Sequence, residues 1–276
     1  MRPAGPGDGS PVGLAIRNPR VQRLRRLARD PRARRAEGAY VVEGEKLVAA
    51  AIAADAPLEA VYVAPGYAGP LAGSSSPVGV VAQTLAPGVL ERVSATVTPQ
   101  PVIGVVTMVD TDMAALRRAV AAGAGPVVVC VDVRDPGNLG TVLRSAQAAG
   151  AAGIVCCHGT ADAYAPKCVR ASAGAVFQLP MVSGGSPVEV LEELGSWGMR
   201  RLGARAAGGT AYDTTDLTGP VALVLGNEAH GLSPELEALL DGLITIPMAA
   251  PAESLNVGSA AAIICFEAAR QRRTRR

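Results

Sequence analysis

Two short apolar runs late in the sequence constrain the fold most, because each is bounded by turn residues and is too short for a buried helix. The first run, Val221–Leu225, ends in a Gly-Asn-Glu turn over residues 226–228, and the second, over 243–246, is stopped by Pro247. Runs of this length and composition are typical of buried parallel strands. They predict a sheet in which at least two strands end in polar turns.

A long apolar helix is expected to begin at about Val257, shortly after the second run. Ser254 or Asn256 is its expected N-cap, because either side-chain oxygen can accept from the free N–H groups of the first turn. In open α/β sheets, ligands bind at the carboxyl ends of the strands. We therefore expect glycine, carboxylate, hydroxyl and amide groups to meet at that edge of the sheet.

The alternation of apolar runs with helical segments starts at residue 126, and a smaller α/β region precedes it. Strands that alternate with helices predict a parallel sheet covered on both faces. A chain of 276 residues can hold two domains of modest size. The expected organisation is a disordered tail over residues 1–14, a first domain over 15–97, a linker over 98–123 and a second domain over 124–276.

Arginine dominates the positive charge and is concentrated in two segments. The net charge is only +2, and Lys46 and Lys167 are the only lysines among the 26 basic residues. Nine arginines lie between Arg17 and Arg35, and five lie in the last seven residues. Because arginine binds phosphate with two parallel hydrogen bonds, this distribution favours an anionic polymer as partner. Solvated terminal segments in an arginine-rich protein are the simpler alternative.

The remaining composition excludes several classes of protein. The five cysteines form no C-x-x-C pair and four lie in apolar runs, so we expect buried thiols in a reducing compartment. No apolar run approaches the about 20 residues of a membrane span, and no signal peptide is expected. These features predict a cytoplasmic protein without a membrane partner. His158 and His230 lack ligand-spaced partners, so no metal is expected. Trp197 and Phe266 are expected in the core.

Three stretches differ from the Val- and Ala-rich background. The first, over 135–144, reads DPGNLGTVLR, the second, over 226–231, reads GNEAHG, and the third, over 254–257, reads SLNV. In the first, Asn138 lies near a helix N-terminus, where backbone N–H groups favour an anion. Arg144 lies further along the same helix. No G-x-G-x-x-G fingerprint follows a predicted strand, which argues against a dinucleotide-binding Rossmann domain.

Together the three stretches resemble the SpoU (TrmH) family of RNA ribose 2′-O-methyltransferases, part of the SPOUT superfamily. They occur in the order and spacing of that family over about residues 126–270. The segment KCVRASAG (167–174) also resembles the family's region between motifs. NPRV (18–21) and VVEG (41–44) resemble the opening of its substrate-binding domain. One departure is Gly258-Ser259, where the family more often has small apolar residues.

The resemblance implies an α/β fold whose C-terminal parallel sheet contains a deep trefoil knot, although threaded chains are rare among proteins. It also implies that the first domain is a small α/β RNA substrate-binding domain. S-adenosyl-L-methionine is the implied cofactor, held mainly by backbone groups, and family members are typically homodimers. The implied cofactor-binding positions are Gly226, Asn227, Ile246, Leu255 and Val257.

The resemblance also assigns catalytic roles. It implies that Arg144 contacts an RNA phosphate and then acts as the base for the ribose hydroxyl. Because a guanidinium is almost always protonated, the alternative is that Arg144 orients the phosphate and stabilises the developing alkoxide. The residues expected to position Arg144 and the loops are Asn138, Glu228, Ser254 and Asn256. The residues expected to bind RNA are Arg20, Arg23, Arg25, Arg26, Lys167 and Arg170.

The expected function is therefore S-adenosylmethionine-dependent 2′-O-methylation of a ribose in structured RNA. Ribosomal RNA is favoured over transfer RNA by family analogy alone. Four alternatives stay open: a transfer-RNA ribose methyltransferase, a catalytically silent RNA-binding protein on the same fold, a related enzyme that methylates a base, and an unknotted nucleotide-binding oxidoreductase. The intact Asn138, Arg144, Glu228 and Asn256 argue against a silent protein.

Overall fold

The chain folds into two units, described by a computed structural model over residues 13–72, 79–123, 125–249 and 254–275. Residues 1–12 of the expected tail, and 250–253 in the loop before the last helix, lie outside the described residues. The first unit comprises residues up to Ile52 together with Ala56–Thr107. The second comprises Ala53–Asp55 and Met108–Arg276.

The first unit is a four-stranded sheet with four helices. Its elements are α1 (Pro19–Arg29), α2 (Pro31–Glu37), β1 (Ala39–Glu43), α3 (Glu45–Ala53), β2 (Leu58–Val63), β3 (Ala82–Thr84), α4 (Leu90–Val93) and β4 (Val102–Thr107). The strand order is β1-β4-β2-β3, in which β4 is antiparallel to both neighbours and β3 is parallel to β2.

Helix α1 forms because its sequence supplies both a cap and an apolar face. The Asn18 side chain accepts a hydrogen bond from the first turn at 2.9 Å. Val21, Leu24 and Leu27 recur at helical spacing and are buried in the core of the first unit, against residues of β1, β2 and β4. Asp30 ends α1 and is the N-cap of α2, so the two arginine-rich helices follow each other directly.

The linker expected over residues 98–123 differs from the observed chain. Its first part forms β4, an inner strand of the first sheet, and its second part forms α5 of the second unit. An inner strand is buried on both sides, and β4 is buried over Val102–Val106, so it reads as an apolar run without alternation. The sequence pattern does not reveal which sheet such a run joins.

The second unit is a seven-stranded parallel sheet with helices. Its elements are α5 (Met113–Ala121), β5 (Val127–Cys130), α6 (Pro136–Ala148), β6 (Gly153–Cys156), α7 (Pro166–Ser172), a 3-10 turn (Ala175–Phe177), β7 (Met181–Ser183), α8 (Pro187–Ser196), β8 (Arg200–Ala204), β9 (Thr210–Ala211), β10 (Val221–Leu225), α9 (Pro234–Glu237), β11 (Gly242–Thr245) and α10 (Val257–Thr274).

The strand order in this sheet is β7-β6-β5-β10-β8-β11-β9, and all of its pairings are parallel. The α/β class, the parallel second sheet and the preceding small α/β unit are thus confirmed. The strand pairings do not address whether the chain is threaded through a loop, so the trefoil knot stays a prediction.

Helix α6 is packed closely on both sides, by α7 and by α10. A Cβ atom at Gly140 would lie 2.5 Å from the Cβ of Ala171, and one at Gly258 would lie 2.9 Å from the Cβ of Thr141. These separations are shorter than carbon atoms tolerate, so both glycines are required by the close approach. The packing fixes the N-terminus of α10 beside the first turns of α6.

The cysteines are all free and buried, and all five lie in the second unit. Burial raises the pKa of Cys156, Cys157 and Cys265 to about 12, and it raises the pKa of Cys130 and Cys168 as well. The expectation of buried thiols is confirmed. The expectation that Phe266 lies in the core is wrong, because this side chain is 48% exposed on α10.

Within the described residues, no helix combines the length and the apolar character needed to cross a membrane.

Candidate active site

The candidate site lies at the carboxyl edge of the parallel sheet. Strands β5 and β10 are neighbours, with Leu225 opposite Cys130 at their last paired position. The loops that follow them therefore start side by side, one leading into α6 and the other into the 226–231 turn. Parallel pairing thereby brings together residues about 90 positions apart in the sequence.

Three predicted residues form a hydrogen-bonded chain at this edge. The Asn256 Nδ2 group donates to Oδ1 of Asn138 at 2.8 Å, and Nδ2 of Asn138 donates to Oε1 of Glu228 at 2.9 Å. Asn256 also caps α10, because its Oδ1 accepts from the Gly258 N–H at 2.9 Å. The cap fixes the orientation of the Asn256 amide, and that orientation in turn fixes the Asn138 amide.

Glu228 is held as a carboxylate. Burial raises its pKa, but hydrogen bonds from the Asn138 amide and from backbone N–H groups lower it by more, so the pKa lies below the ordinary value of 4.5. Its Oε2 atom also accepts from the Arg134 N–H at 3.4 Å. A carboxylate that is ionised and already accepts at both oxygens is suited to fixing loops and is a weak base.

The start of α6 is fixed by Asp135. Its Oδ1 accepts from the Asn138 N–H at 2.9 Å, and its Oδ2 pairs with Nζ of Lys167 on α7 at 2.6 Å. The Lys167 hydrogen bond and the Asn138 N–H both lower the pKa of Asp135. Lys167, expected to bind RNA, thus lies in an ion pair that joins α7 to the first turn of α6.

A cavity of about 580 Å³ opens beside the hydrogen-bonded chain. All five predicted cofactor-binding residues line it, and so do Glu228 and Ser254. Its walls combine apolar side chains, polar side chains and the backbone of the 226–231 turn. This volume is typical of small-molecule sites, which combine an apolar lining with a few polar groups. The five predicted residues that line it are Gly226, Asn227, Ile246, Leu255 and Val257.

The 226–231 turn forms one wall because its backbone folds back on itself. Asn227 and Gly231 exchange two backbone hydrogen bonds, at 3.1 and 2.9 Å. A Cβ atom at Gly226 would lie 2.5 Å from the carbonyl carbon of Gly231, so a side chain there would collide with the turn. Glycine at position 226 therefore allows the two ends of the turn to approach each other closely.

Two predicted catalytic residues lie outside the hydrogen-bonded chain. Arg144 is exposed on α6, six residues or about 9 Å along the helix from Asn138. Within the described part of the chain, its guanidinium has no hydrogen-bond or ion-pair partner. Ser254 is exposed and lines the cavity. Ser254 and Asn256 were the two predicted N-caps of α10, and the structure has Asn256 in this position.

The predicted RNA-binding arginines of the first unit have different surroundings. Arg23 forms ion pairs with Glu37 at 2.6 Å and Glu59 at 2.7 Å, and Arg26 pairs with Glu37 at 3.2 Å. The Arg20 guanidinium donates to Gln83 at 2.7 Å. Arg25 is exposed and, among the described residues, has no side-chain partner. Arg25 is therefore the member of this set whose guanidinium is free to bind a phosphate.

Arg170, on α7 of the second unit, has one buried guanidinium nitrogen, Nη1, without a hydrogen-bond partner among the described residues. A buried donor without a protein partner costs free energy.

Asp132 and Arg134, in the loop between β5 and α6, were not predicted as site residues. Asp132 accepts hydrogen bonds from Nδ2 of Asn227 and from Nε of Arg134. The available signal was the same one that identified Glu228, namely a polar residue directly after a buried apolar run. No group of three or more His, Cys, Asp or Glu side chains among the described residues is placed to hold a metal ion.

Comparison with known families gives two matches. Residues 125–266 match the SpoU rRNA methylase family, and residues 18–104 match the MRM3-like substrate binding domain. The first match spans the whole hydrogen-bonded chain and the cavity. The second begins at the N-cap of α1 and ends within β4.

Individual relatives agree with these matches. The 23S rRNA (guanosine(2553)-2′-O)-methyltransferase RlmP of Bacillus subtilis is 31% identical over 227 residues, which cover 82% of this chain and 87% of that protein. An uncharacterized tRNA/rRNA methyltransferase of Mycobacterium sp. (strain KMS) is 36% identical over 160 residues, or 58% of this chain. The aligned part is about half of that relative, 51% of its length.

A solved structure extends the similarity to most of the chain. The SpoU methyltransferase AviRb from Streptomyces viridochromogenes, in complex with AdoMet, superposes with a TM-score of 0.81 at 30% sequence identity. The alignment covers 94% of this chain and 99% of AviRb. Both units of the present chain therefore have counterparts in one solved protein.

Proposed function

Because this chain belongs to the SpoU rRNA methylase family, we propose that it transfers a methyl group from S-adenosylmethionine to a ribose 2′-oxygen of ribosomal RNA. The observation that carries the proposal is the chain of hydrogen bonds through Asn256, Asn138 and Glu228, placed beside a cavity of small-molecule size. These side chains lie at the sheet edge where ligands of α/β proteins bind.

The cavity fits the proposed cofactor. Gly226 lets the 226–231 turn fold closely against the end of β10, and Leu255 and Ile246 offer apolar surface to an adenosine group. Backbone groups of the 226–231 turn are available to its polar atoms. When bound, S-adenosylmethionine supplies a methyl group on a positively charged sulfur, which is open to attack by a ribose oxygen. AviRb, which is similar over both units, was crystallised with this compound.

The residues of this chain have to position the ribose hydroxyl and accommodate its proton. Glu228 is engaged at both oxygens, so it fixes Asn138 and the loop before α6. Arg144 projects from α6, which carries Asn138 in its first turn, and is free to contact RNA. We propose that Arg144 binds the phosphate beside the target ribose and stabilises the oxygen as it loses its proton.

Ribosomal RNA is the proposed substrate class. The Bacillus subtilis relative, which aligns with most of both chains, is named as a 23S rRNA enzyme. The first unit, matched to a substrate-binding domain, presents exposed arginines on α1 and α2. Arg20, Arg23, Arg25 and Arg26 are proposed to form part of the RNA surface, with Arg25 the most available. Lys167 and Arg170 are proposed to contribute from α7.

We also propose that the protein acts as a homodimer in the cytoplasm, where ribosomal RNA is available to it. Helix α10 leaves Phe266 48% exposed, and Ala262 and Ile263 lie half-buried on the same side of the helix. An exposed aromatic residue with apolar neighbours favours a protein interface.

The test of the proposed function is transfer of labelled methyl from S-adenosylmethionine to unmodified 23S rRNA and, separately, to transfer RNA. After alkaline cleavage, a methylated 2′-oxygen cannot attack the adjacent phosphate, so the label should remain in an uncut dinucleotide. We expect this result with 23S rRNA. Label in single nucleotides would indicate base methylation, and labelling of transfer RNA alone would overturn the substrate class.

A control separates loss of chemistry from loss of cofactor binding. The same protein should be titrated with S-adenosylmethionine by calorimetry. Cofactor binding without methyl transfer to either RNA would favour the silent RNA-binding protein. Absence of both would contradict the assignment of the cavity.

A further inference from the structure

The backbone at Asp132 adopts a conformation that non-glycine residues rarely take. Its φ is 55°, in the left-handed region, at the point where the chain leaves β5 for the candidate active site. A residue remains in this conformation only when its surroundings hold it there, and such residues concentrate at functional sites. The contacts of Asp132 therefore indicate which groups hold its backbone in this conformation.

Asp132 is held from one side by Asn227. The Nδ2 group of Asn227 donates to the backbone oxygen of Asp132 at 3.0 Å and to its carboxylate at 3.1 Å. The Asn227 amide is itself oriented, because its Oδ1 accepts from the N–H groups of Ala229 and His230. The β5 and β10 loops are thus locked together at Asp132.

The other oxygen of Asp132 holds Arg134. Oδ1 accepts from Nε of Arg134 at 2.8 Å, and the carboxylate raises the pKa of the guanidinium. The backbone of Arg134 is also fixed, since its N–H donates to Glu228. Asp132 therefore directs the guanidinium of Arg134, and Glu228 fixes its backbone.

The far edge of Arg134 remains open. Its side chain is 73% exposed, and Nη1 and Nη2 have no partner among the described residues. These two nitrogens form the end-on fork that binds a phosphate through two parallel hydrogen bonds. Arg134 is not among the residues that line the cavity, so the fork is offered to a ligand outside the cofactor site.

We propose that Arg134 binds a backbone phosphate of the RNA substrate at the catalytic edge, and that Asp132 is a positioning residue that directs its fork. The proposal rests on the proposed function, because it assumes that RNA occupies this edge. It adds a second guanidinium to the site besides Arg144. An ordinary surface ion pair between residues two apart would explain the Asp132–Arg134 contact, but not the left-handed backbone or the Asn227 amide.

The sign of the effect of Asp132→Asn tests the positioning role. Asparagine tolerates the left-handed conformation and retains one acceptor oxygen, so the variant should fold. If Asp132 were merely a negative charge near RNA, its removal would strengthen RNA binding. If it positions Arg134, its removal should weaken binding, and this loss should disappear in an Arg134→Ala background.

The measurement is the affinity for a 23S rRNA transcript at several salt concentrations, with kcat and KM for RNA in the methyl-transfer assay. We expect Arg134→Ala to weaken RNA binding about tenfold and to reduce the salt slope by about 0.7 to 0.9, the loss of one phosphate contact. The KM for RNA should rise while kcat at saturating RNA changes little. Asp132→Asn should act in the same direction and more weakly.

The matched control is Arg118→Ala, which removes an exposed arginine of the same unit. Arg118 lies on α5, outside the two arginine-rich segments and outside the residues assigned to the site. This variant should leave both the RNA affinity and the salt slope of binding close to those of the unmodified protein.

Three results would overturn the proposal. They are an unchanged RNA affinity for Arg134→Ala, a loss of S-adenosylmethionine affinity instead of RNA affinity, or stronger RNA binding by Asp132→Asn. RNA affinity is measured independently of methyl transfer. A wild-type protein that binds RNA without methylating it would count against the proposed function and still leave the Arg134 comparison readable.

Discussion

At the level of single residues, the Asn138 amide joins two loops with one side chain. It accepts from Asn256 and donates to Glu228, so each of its polar atoms has one assigned partner. An aspartate at this position would place two carboxylates together, and an alanine would leave Nδ2 of Asn256 and Oε1 of Glu228 without this partner. The chain therefore depends on an amide specifically, because an amide offers a donor and an acceptor on one planar group.

Glu228→Gln should lower the free energy of unfolding by about 0.5 to 1 kcal/mol at pH 7, because the amide would present a donor to the Arg134 N–H. The folded-state pKa of Glu228 is lowered, so its contribution is present above the unfolded-state pKa and is lost as the pH falls through the folded value. The difference between the two proteins should therefore begin to shrink as the pH falls below the ordinary value of 4.5. Urea unfolding at pH 7 and near pH 3.5 measures it.

Glu235→Gln is the matched control, since Glu235 is exposed on α9 and its carboxylate has no hydrogen bond or ion pair with other described residues. A Glu228→Gln loss that is the same at both pH values would contradict the role of the ionised carboxylate.

Arg144→Lys should lower turnover about a hundredfold, because lysine keeps the charge but cannot present a planar fork to a phosphate and a developing alkoxide together. The affinity for S-adenosylmethionine should be unchanged, since Arg144 does not line the cavity. Single-turnover methyl transfer with saturating RNA measures the effect, and Arg118→Lys on α5 is the control. Near-normal turnover would remove any role that needs a guanidinium.

At the level of elements, helix α1 carries two kinds of arginine: those in ion pairs that stabilise the fold and those available to RNA. Arg23 reaches two carboxylates, Glu37 and Glu59, whereas Arg25 points to solvent. Arg25→Ala should weaken RNA binding three- to tenfold and reduce the salt slope by about 0.7 to 0.9, with an unchanged melting temperature. Arg23→Ala should mainly lower stability, by up to about 1 kcal/mol.

Filter binding at several salt concentrations and thermal unfolding distinguish the two arginines of α1. Equal losses of RNA affinity in both variants would mean that the ion pairs of Arg23 open when RNA binds.

The elements could be predicted from the sequence where local signals were strong. Short apolar runs ending in polar turns identified β5 and β10, and the cap residue identified the start of α10. The sheet to which β4 belongs could not be predicted, because the pairing of an apolar run depends on distant strands. The exposure of Phe266 was also missed. Helix α10 is apolar on most sides, so its sequence does not distinguish the buried face.

The candidate site, like the elements, could be predicted from the sequence only in part. Asn138, Glu228 and Asn256 follow from their positions at strand and helix ends, and the chain brings them together. The ion pair of Lys167 depends on a carboxylate 32 residues away, and those of Arg23 depend on carboxylates 14 and 36 residues away. No local sequence pattern reveals these pairs. The left-handed backbone of Asp132 could not be predicted, because it depends on tertiary contacts with Asn227.

At the level of the whole molecule, the proposed homodimer makes α10 part of an interface. Phe266→Asp should convert the dimer to a monomer, because a buried carboxylate without a partner is strongly unfavourable. Val188→Asp is the matched control, since Val188 is an apolar residue 40% exposed on α8. Sedimentation equilibrium measures the mass. A dimer that survives Phe266→Asp would place the interface elsewhere, and a wild-type monomer would remove the proposal.

The buried cysteines make the second unit a reporter of its own opening. Since all five thiols are inaccessible and have raised pKa values, a thiol reagent at neutral pH should find almost no thiolate while this unit stays folded. The first unit contributes no cysteine to the reaction. The alkylation rate of the unmodified protein is thus a clock for unfolding of the sheet, α7 and α10, and a ligand that stabilises this unit should slow it.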